Sequence, residues 1–157
     1  MPDIHGKLRE LGLELPVMLP GAGGSIVGAV RAGHLVFTSS RAPISEGQVV
    51  FIGKLGRDLD EDAGYAAARL AFLHALATIG AVTGGVEHII RIVKLSGWIN
   101  CVPDFTGLRA VLNGASDLLT ELFGDHAEHA RSVVGVASLP HGLAIEIDVI
   151  AEVQPDR

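Results

Sequence analysis

The chain opens with the hydrophobic pattern of a short amphipathic helix. Apolar residues recur at helical spacing over Asp3–Leu15, and Pro16 ends that pattern. Proline and glycine then dominate 20–24, which predicts a loop. We therefore expect 1–24 to form an N-terminal helix and loop, followed by a single domain over 25–157.

Strand and helix patterns alternate along the rest of the chain. Two β-rich runs on either side of Ala32-Gly33 predict a β-hairpin. In chain order, the predicted strands are Ser25–Arg31, His34–Ser40, Val49–Ile52, Val86–Trp98, Arg131–Ser138 and Leu143–Val153. The predicted helices are Ala63–Ile79, which follows an acidic helix start at Leu59-Asp60-Glu61-Asp62 and is ended by Gly80, and a second region that opens at Pro103-Asp104, breaks at Asn113-Gly114 and resumes over Ser116–Phe123. This order predicts an α+β fold, in which one mixed β-sheet carries two main helices on one face. The partial alternation of Val86–Trp98 predicts a strand that is covered on both faces.

The composition indicates that the chain does not act alone. Hydrophobic residues make up 48% of the 157, charged residues make up 19% against a usual share of about 25%, and the mean hydropathy is +0.41. A length of 157 residues suits one domain. A monomer of that size has difficulty hiding so much apolar surface, so we expect an obligate homo-oligomer.

Charge and cysteine content exclude several classes of protein. Lys and Arg total 12 against 18 Asp and Glu, so the net charge is −6, and no basic cluster is present to neutralise the phosphates of a nucleic acid. The one cysteine, Cys101, excludes an internal disulfide and fits a reducing compartment, so we expect a cytoplasmic protein. No secretory signal is predicted within Met1–Pro20. The longest stretch without a charged side chain, Leu70–Val86, is short for a bilayer span of about 20 residues, and we interpret it as a buried helix and a turn.

Arg131 is the most informative candidate for chemistry. It begins a strand whose other residues are small and apolar, where an unpaired guanidinium is costly to bury. Two interpretations are open. Either an Asp or Glu of the same chain pairs with Arg131, or Arg131 faces a cleft for a carboxylate ligand, which suits its planar fork.

The last two strands flank Pro140-His141, and a hairpin centred there sets their register. Gly135 then lies opposite Glu146, and side-chain alternation puts Arg131 and Glu146 on one face, roughly 13 Å apart along the ladder. That separation leaves room for a small carboxylate and a water molecule that Glu146 positions or deprotonates. Asp148 lies on the same face, nearer Arg131, and is the rival partner.

The other reactive residue types favour structural roles. His126, His129 and His141 lack the spacing of a metal site, so no metal is expected. The glycines of 21–24 do not join a strand to a helix in a βαβ unit, so they do not predict a phosphate cradle. Four further residues are interpreted from their context. Cys101 is a small buried hydrophobe and Ser116 is a helix cap, while Trp98 and Phe105 are core or interface aromatics.

Several segments together resemble a known family. They are His129-Ala130-Arg131-Ser132, Leu139-Pro140-x-Gly142, Ile145-Glu146-Ile147-x-x-Ile150-Ala151 and, for the second strand, Gly33-x-Leu35-Val36-Phe37-Thr38-Ser39 followed by Pro43. The pattern is similar to that of the Rid family, the reactive-intermediate deaminases that are also called YjgF-like or L-PSP proteins. The resemblance covers nearly the whole chain from Ser25 onward. The insertion-like segment Leu108–Ser116 resembles a longer branch of the family, whose members lack an assigned reaction.

The resemblance implies a chorismate-mutase-like α+β fold and a homotrimer, with the sheets in a central barrel and the ligand clefts between subunits. It implies hydrolysis of enamine or imine intermediates, made by pyridoxal-phosphate enzymes, to 2-keto acids and ammonia, with no metal or organic cofactor. By the same resemblance, Arg131 binds the carboxylate of the ligand and Glu146 orders the hydrolytic water. Backbone groups around Ser39-Ser40 line the cleft.

The sequence departs from the family's pattern at several positions of that implied site. Ser25-Ile26 stands where the family has an aromatic residue, Ser39-Ser40-Arg41 stands in place of Ser-Gly-Gln, and Val133 stands in place of a cysteine. We place Val133, Ser39, Ser40 and Arg41 beside Arg131 in the expected ligand-binding set. Arg41 is either a second positive group, for a larger or more acidic ligand, or a solvated arginine of a turn.

Three functions follow from the resemblance. The first is a deaminase of reactive imines, and the second is a protein that binds a small carboxylate on the same fold without turning it over. The third is an endoribonuclease or translation inhibitor of the L-PSP type, which the net charge of −6 disfavours. No membrane partner is expected.

Overall fold

A five-stranded mixed sheet with two long helices on one face forms the body of the protein. The computed structural model describes residues 1–18 and 25–155, so the loop predicted over 20–24 lies outside the described residues. In chain order the elements are α1 (Ile4–Glu10), β1 (Ala29–Ala32), β2 (Leu35–Thr38), β3 (Ile44–Ser45), β4 (Gln48–Val49), α2 (Glu61–Thr83), β5 (Ile89–Asn100), α3 (Leu108–Phe123), β6 (Ala130–Val136) and β7 (Ile145–Val153). Short 3-10 turns occupy Val86–His88, Gly124–His126 and Pro140–Gly142. The predicted α+β fold is confirmed.

The strand order of the sheet is β1-β2-β7-β5-β6. β5 and β6 are parallel, and the other neighbouring pairs are antiparallel. The predicted hairpin between the last two strands is therefore wrong, because β7 lies between β2 and β5 while β6 pairs with β5. The connection over 137–144 is longer than the two to five residues of a tight hairpin loop, and it carries the chain across the end of β5.

The hairpin predicted around Ala32-Gly33 is confirmed in β1 and β2. Ala32 pairs with Leu35, and Gly33 occupies the turn with φ +61°, a conformation that glycine adopts without strain. The third strand predicted over Val49–Ile52 is wrong. β3 and β4 form a separate two-stranded sheet that turns at Glu46-Gly47.

The acidic start predicted for α2 is confirmed, but α2 ends later than predicted and α3 begins later than predicted. α2 begins after Asp60, whose carboxylate accepts from the backbone N–H of Ala63, and it runs through Gly80 to end at Gly84 with φ +83°. α3 is continuous through Gly114, where the sequence predicted a break. A Cβ at Gly114 would overlap the backbone carbonyl of Tyr65, so this glycine lets α3 approach α2 closely.

The N-terminal helix is shorter than predicted. α1 covers Ile4–Glu10, is capped by Asp3 and is followed by Gly12 with φ +64°. Its apolar residues Ile4 and Leu8 are buried in the same core as the helices and the sheet.

The two faces of the sheet have different environments. The face under α2 and α3 is the inner face, and its fully buried residues include Ile92, Leu95, Ile99, Ile147 and Ala151. No described helix covers the opposite, open face, where Phe37 is 41% and Val134 48% exposed. The expectation that the strand now seen as β5 is covered on both faces is therefore not met within one chain.

Among the described residues one helix, α2, is long and apolar enough to span a membrane. More than half of its most apolar stretch is buried in the fold, against the sheet and α3. The sequence predicted a buried helix here, and the packing of Phe72, Leu76 and Ile79 is that of a core helix.

Candidate functional site

Arg131 lies on the inner side of the edge strand β6. It pairs in register with Leu95 of β5, whose side chain is fully buried under the helices, so both side chains point to the inner face. The Nη1 of Arg131 donates to Asn113 Oδ1 at 2.7 Å and to Ser116 Oγ at 3.1 Å, both on α3.

The guanidinium of Arg131 has neutral partners only. Across residues 1–18 and 25–155, no carboxylate oxygen lies within 4.0 Å of it, so the interpretation as an internal ion pair is wrong. Burial lowers the pKa of Arg131, repulsion from Arg109 lowers it further, and Asp117 opposes the shift. A half-buried positive charge without a counter-ion is suited to bind an anion.

A hydrogen-bonded chain holds Arg131 against α3. Ser116 Oγ lies 2.9 Å from His129 Nε2, and His129 Nδ1 lies 2.7 Å from the carbonyl oxygen of Ala127. A carbonyl only accepts, so Nδ1 carries a proton, and in the neutral imidazole Nε2 then accepts from the Ser116 hydroxyl. That leaves the Ser116 oxygen free to accept from Arg131.

Two residues of this hydrogen-bonded network, Ser116 and Asn113, do not have the roles that the sequence suggested. Ser116 is not a helix cap, because it lies two turns inside α3. Asn113 was interpreted only as part of a helix break, although its spacing of three residues from Ser116 puts both side chains on one face of a helix. That spacing is the signal that would have identified the pair.

Glu146 lies on the open face of β7, opposite Trp98 of β5. It is half-buried, and this burial raises the pKa of its carboxyl group, while the Arg41 guanidinium lowers it in part. Asp148 is on the same face, and burial raises its pKa against the effect of a hydrogen bond from Ser96. Asp148 is therefore not the partner of Arg131.

The prediction that the side chains of Arg131 and Glu146 lie on one face of the sheet is wrong. Arg131 pairs with Leu95 and Glu146 pairs with Trp98, which are three positions apart along β5. An odd separation along a strand puts side chains on opposite faces. The sheet of a single chain therefore separates the two charged groups.

The segment Ser39-Ser40-Arg41 continues from the end of β2 and runs beside β7. Ser39 Oγ donates to the carbonyl of Val27 at 2.6 Å, and Ser40 is exposed. Arg41 pairs through its backbone with Ile147, whose side chain is fully buried on the inner face.

Arg41 is not a solvated arginine of a turn. Its guanidinium is half-buried and donates to two backbone carbonyls, from Nε to Ser39 at 3.0 Å and from Nη2 to Gly28 at 3.4 Å. Burial lowers the pKa of Arg41, and attraction to Glu146 opposes that effect. This second guanidinium also has no carboxylate within 4.0 Å in the described part of the chain.

The other candidates have packing roles. Val133 lies on the same face as Arg131 and packs partly against the core. Cys101 is a half-buried free thiol that also contacts the core, as expected for a small hydrophobe. In the described residues no three His, Cys, Asp or Glu side chains come together as a metal site.

Comparison with known proteins identifies the class to which this fold and site belong. The model of a family described as "YjgF/chorismate mutase-like, putative endoribonuclease" matches residues 5–153. The chain belongs to this family, which confirms the resemblance inferred from the C-terminal motifs.

Individual relatives cover almost the whole chain. The Trypanosoma cruzi protein TCP17 is 36% identical over 150 residues, which are 95% of this chain and 93% of that protein. The structure of Atu1372 from Agrobacterium tumefaciens, of unknown function, is 36% identical with a TM-score of 0.88, over 96% of this chain and 93% of that one. A "putative endoribonuclease" from Shewanella oneidensis is 31% identical with a TM-score of 0.90, over 96% and 99%.

A shorter relative is more distant. E. coli TdcF, solved with bound serine, is 27% identical with a TM-score of 0.59, over 86% of this chain and 93% of that one. This chain thus shares more of its structure with Atu1372 and the Shewanella protein than with TdcF.

Proposed function

We propose that the protein is an imine deaminase that acts as a homotrimer, with a ligand site formed between two copies of the chain. The observation that carries this proposal is the pair of functional groups on opposite faces of one sheet. Arg131, on the inner side of the edge strand, has no carboxylate partner among the described residues, and Glu146 has a raised pKa on the open face.

Two copies are required because one sheet cannot bring these groups together. β5 lies between β6 and β7, so Arg131 and Glu146 of the same chain stay on opposite sides of the hydrogen-bonded layer. A neighbouring copy packed at the β6 edge brings its own open face toward Arg131. The exposed Phe37 and Val134 on the open face supply apolar surface for such a contact.

In the proposed reaction, Arg131 of one copy binds the carboxylate of a 2-imino acid through two parallel N–H···O bonds. Glu146 of the other copy accepts a proton from water as the water oxygen forms a bond to C2. The nitrogen takes up the proton that Glu146 holds and then the proton of the new hydroxyl group on C2, the C–N bond breaks as C2–O becomes C=O, and ammonia leaves. One imino acid and one water thus give one 2-keto acid and one ammonia.

The environment of Glu146 supports its role as the base. Burial raises the pKa of this carboxyl group, which makes its carboxylate a stronger base than a solvated one. Asn113 and Ser116 hold Arg131 in one orientation, so the ligand carboxylate does not have to order a free side chain.

A second candidate is a carboxylate-binding protein without turnover. It is favoured by the departures of this chain from the family's pattern, Val133 in place of cysteine and Ser40-Arg41 in place of Gly-Gln. The name of the Shewanella relative offers an endoribonuclease as a third candidate, which the net charge of −6 disfavours. RNA binding that weakens steeply with salt would support it.

The test is an imine-hydrolysis assay in which an amino-acid oxidase generates imines and semicarbazide traps them. We expect the protein to reduce semicarbazone formation and release ammonia, and Arg131→Ala or Glu146→Gln to abolish both effects. Arg9→Gln removes an exposed arginine on α1 and should act like the unmodified protein. If no imine from a panel of amino acids is hydrolysed while a carboxylate binds in an Arg131-dependent way, the non-catalytic candidate is correct.

A further inference from the structure

A cavity lies on the inner side of the sheet, between α2 and the chain segments that precede β1 and follow β2. It has a volume of about 640 Å³, within the range of roughly 300–1,000 Å³ that is typical of sites for small organic molecules. Its described lining includes the apolar residues Pro16, Met18 and Ile44 and the polar residues Ser40, Arg41, Glu46 and His74. Neither residue of the proposed deaminase pair contributes to it.

His74 presents a hydrogen-bond acceptor to this cavity. The side chain is on α2 and 8% exposed, and its Nε2 lies 2.8 Å from the carbonyl oxygen of Ile44. Because a carbonyl only accepts, Nε2 carries the proton, and in the neutral ring Nδ1 holds a lone pair. Nδ1 bonds to no described residue, and among the described residues no fully buried side-chain nitrogen or oxygen lacks a partner. Nδ1 is therefore not fully buried, and it belongs to a side chain that lines the cavity.

Arg41 supplies a positive charge to the same cavity. Its guanidinium lies beside Gly28, and the methyl group of Thr78, one helical turn along α2 from His74, is also close to Gly28. Two of its five N–H groups donate to backbone carbonyls, and the other three have no described acceptor.

Neither Glu146 nor Glu46 forms an ion pair with Arg41. Glu146 attracts it from the other face of the sheet without forming a contact, and Glu46 is an exposed residue that lines the cavity. A half-buried guanidinium in this setting gains most from a ligand that brings its own carboxylate.

We propose that this cavity binds a small monocarboxylate with an apolar body and one hydroxyl group. The carboxylate binds the guanidinium of Arg41, the apolar body contacts Pro16, Met18 and Ile44, and the hydroxyl donates to Nδ1 of His74. This proposal assigns Arg41 to a site of its own instead of the ligand-binding set expected beside Arg131, on the opposite side of the sheet from Glu146.

The probe for the test is 4-hydroxyphenylacetate, measured by calorimetric titration of the full chain. We expect saturable binding that 4-hydroxyphenylacetamide, which lacks the charge, weakens about tenfold or more, because a charge-assisted hydrogen-bonded pair is lost. Phenylacetate, which lacks the hydroxyl, should bind a few-fold more weakly. Arg41→Gln should reduce binding about tenfold or more, whereas Arg9→Gln and Arg131→Gln should retain it.

A measurement on the unmodified protein covers the case in which a His74 variant does not fold. Binding of the probe should shift the ¹⁵N resonance of the unprotonated Nδ1 of His74, and the amide control at the same concentration should not. The proposal is overturned if the acid and the amide bind equally. It is also overturned if Arg131→Gln abolishes binding while folded Arg41→Gln retains it, because the probe then occupies the deaminase site. Absence of saturable binding up to about 10 mM would overturn it as well.

Discussion

Gly114 lies where α3 comes into close contact with the backbone of α2, and replacing it tests the packing of the fold. A Cβ at this position would overlap the backbone carbonyl of Tyr65 on α2. The overlapping group is backbone, so it cannot rotate away as a flexible side chain would. Gly114→Ala must instead push α3 away from α2.

The two effects of Gly114→Ala have opposite signs. Alanine is favoured over glycine inside a helix by about 1 kcal/mol. Overpacking a tight interface costs typically 1–3 kcal/mol, and rigid backbone contact puts this site near the upper value, about 3 kcal/mol. The free energy of unfolding should therefore fall by about 2 kcal/mol, which for a chain of this length lowers Tm by about 4–8 °C.

Urea denaturation and thermal unfolding at one fixed protein concentration measure this change, since oligomer formation makes Tm depend on concentration. Thr120→Ala is a matched control in the same helix, because its hydroxyl is exposed and bonds only to the carbonyl of Ser116 one turn earlier. Its effect should be within about 0.5 kcal/mol. A stabilising Gly114→Ala would refute the tight approach of the helices, because only the propensity term would then remain.

Three further predictions concern individual contacts. Asn113→Ala removes a hydrogen-bond acceptor that orients the guanidinium of Arg131. The KM for an imino acid should therefore rise a few-fold while kcat changes little. An equal fall of kcat and kcat/KM would contradict a positioning role. The pKa of Glu146 is raised by burial, so its ionisation opposes folding, and stability should fall as the pH rises through the window above the ordinary glutamate pKa of about 4.3. Glu146→Gln should therefore stabilise the protein at pH 7 and flatten that decline in urea titrations at pH 4 and 7, and destabilisation at pH 7 would contradict the sign. Lys54 Nζ donates to Oδ1 of the buried Asn100 at 2.6 Å. Lys54→Met should therefore lower the free energy of unfolding by about 1–3 kcal/mol in the same urea assay. A neutral result would show that water replaces the ammonium group.

The local patterns of the sequence predicted those parts of the fold that depend on neighbouring residues. The turn at Gly33 follows from a glycine between two β-rich runs, and the start of α2 follows from its acidic first turn. Family motifs around Arg131 and Glu146 identified the class of the protein, and the match to the family model confirms it.

The non-local features could not be predicted in the same way. β6 pairs with β5, which precedes it by more than 30 residues, and not with β7, which follows it closely in sequence. That pairing decides which face of the sheet Arg131 occupies. At Gly114, a glycine inside a helical pattern is consistent with both a helix break and a close helix–helix contact, and only the position of Tyr65 distinguishes them. The bonds from Arg131 to Asn113 and Ser116 require a continuous α3, which the predicted helix break excluded.

The central claim is that Arg131 and Glu146 act together only across two copies of the chain. Subunit complementation tests it most directly: Arg131→Ala and Glu146→Gln chains, each inactive alone, are unfolded, mixed in equal amounts and refolded together. In a cyclic trimer with random assembly, about a quarter of the sites receive an intact Arg131 from one chain and an intact Glu146 from the next, so about a quarter of the unmodified activity should return. If each variant alone refolds to the same oligomer and the mixture remains inactive, Arg131 and Glu146 do not act across a subunit interface.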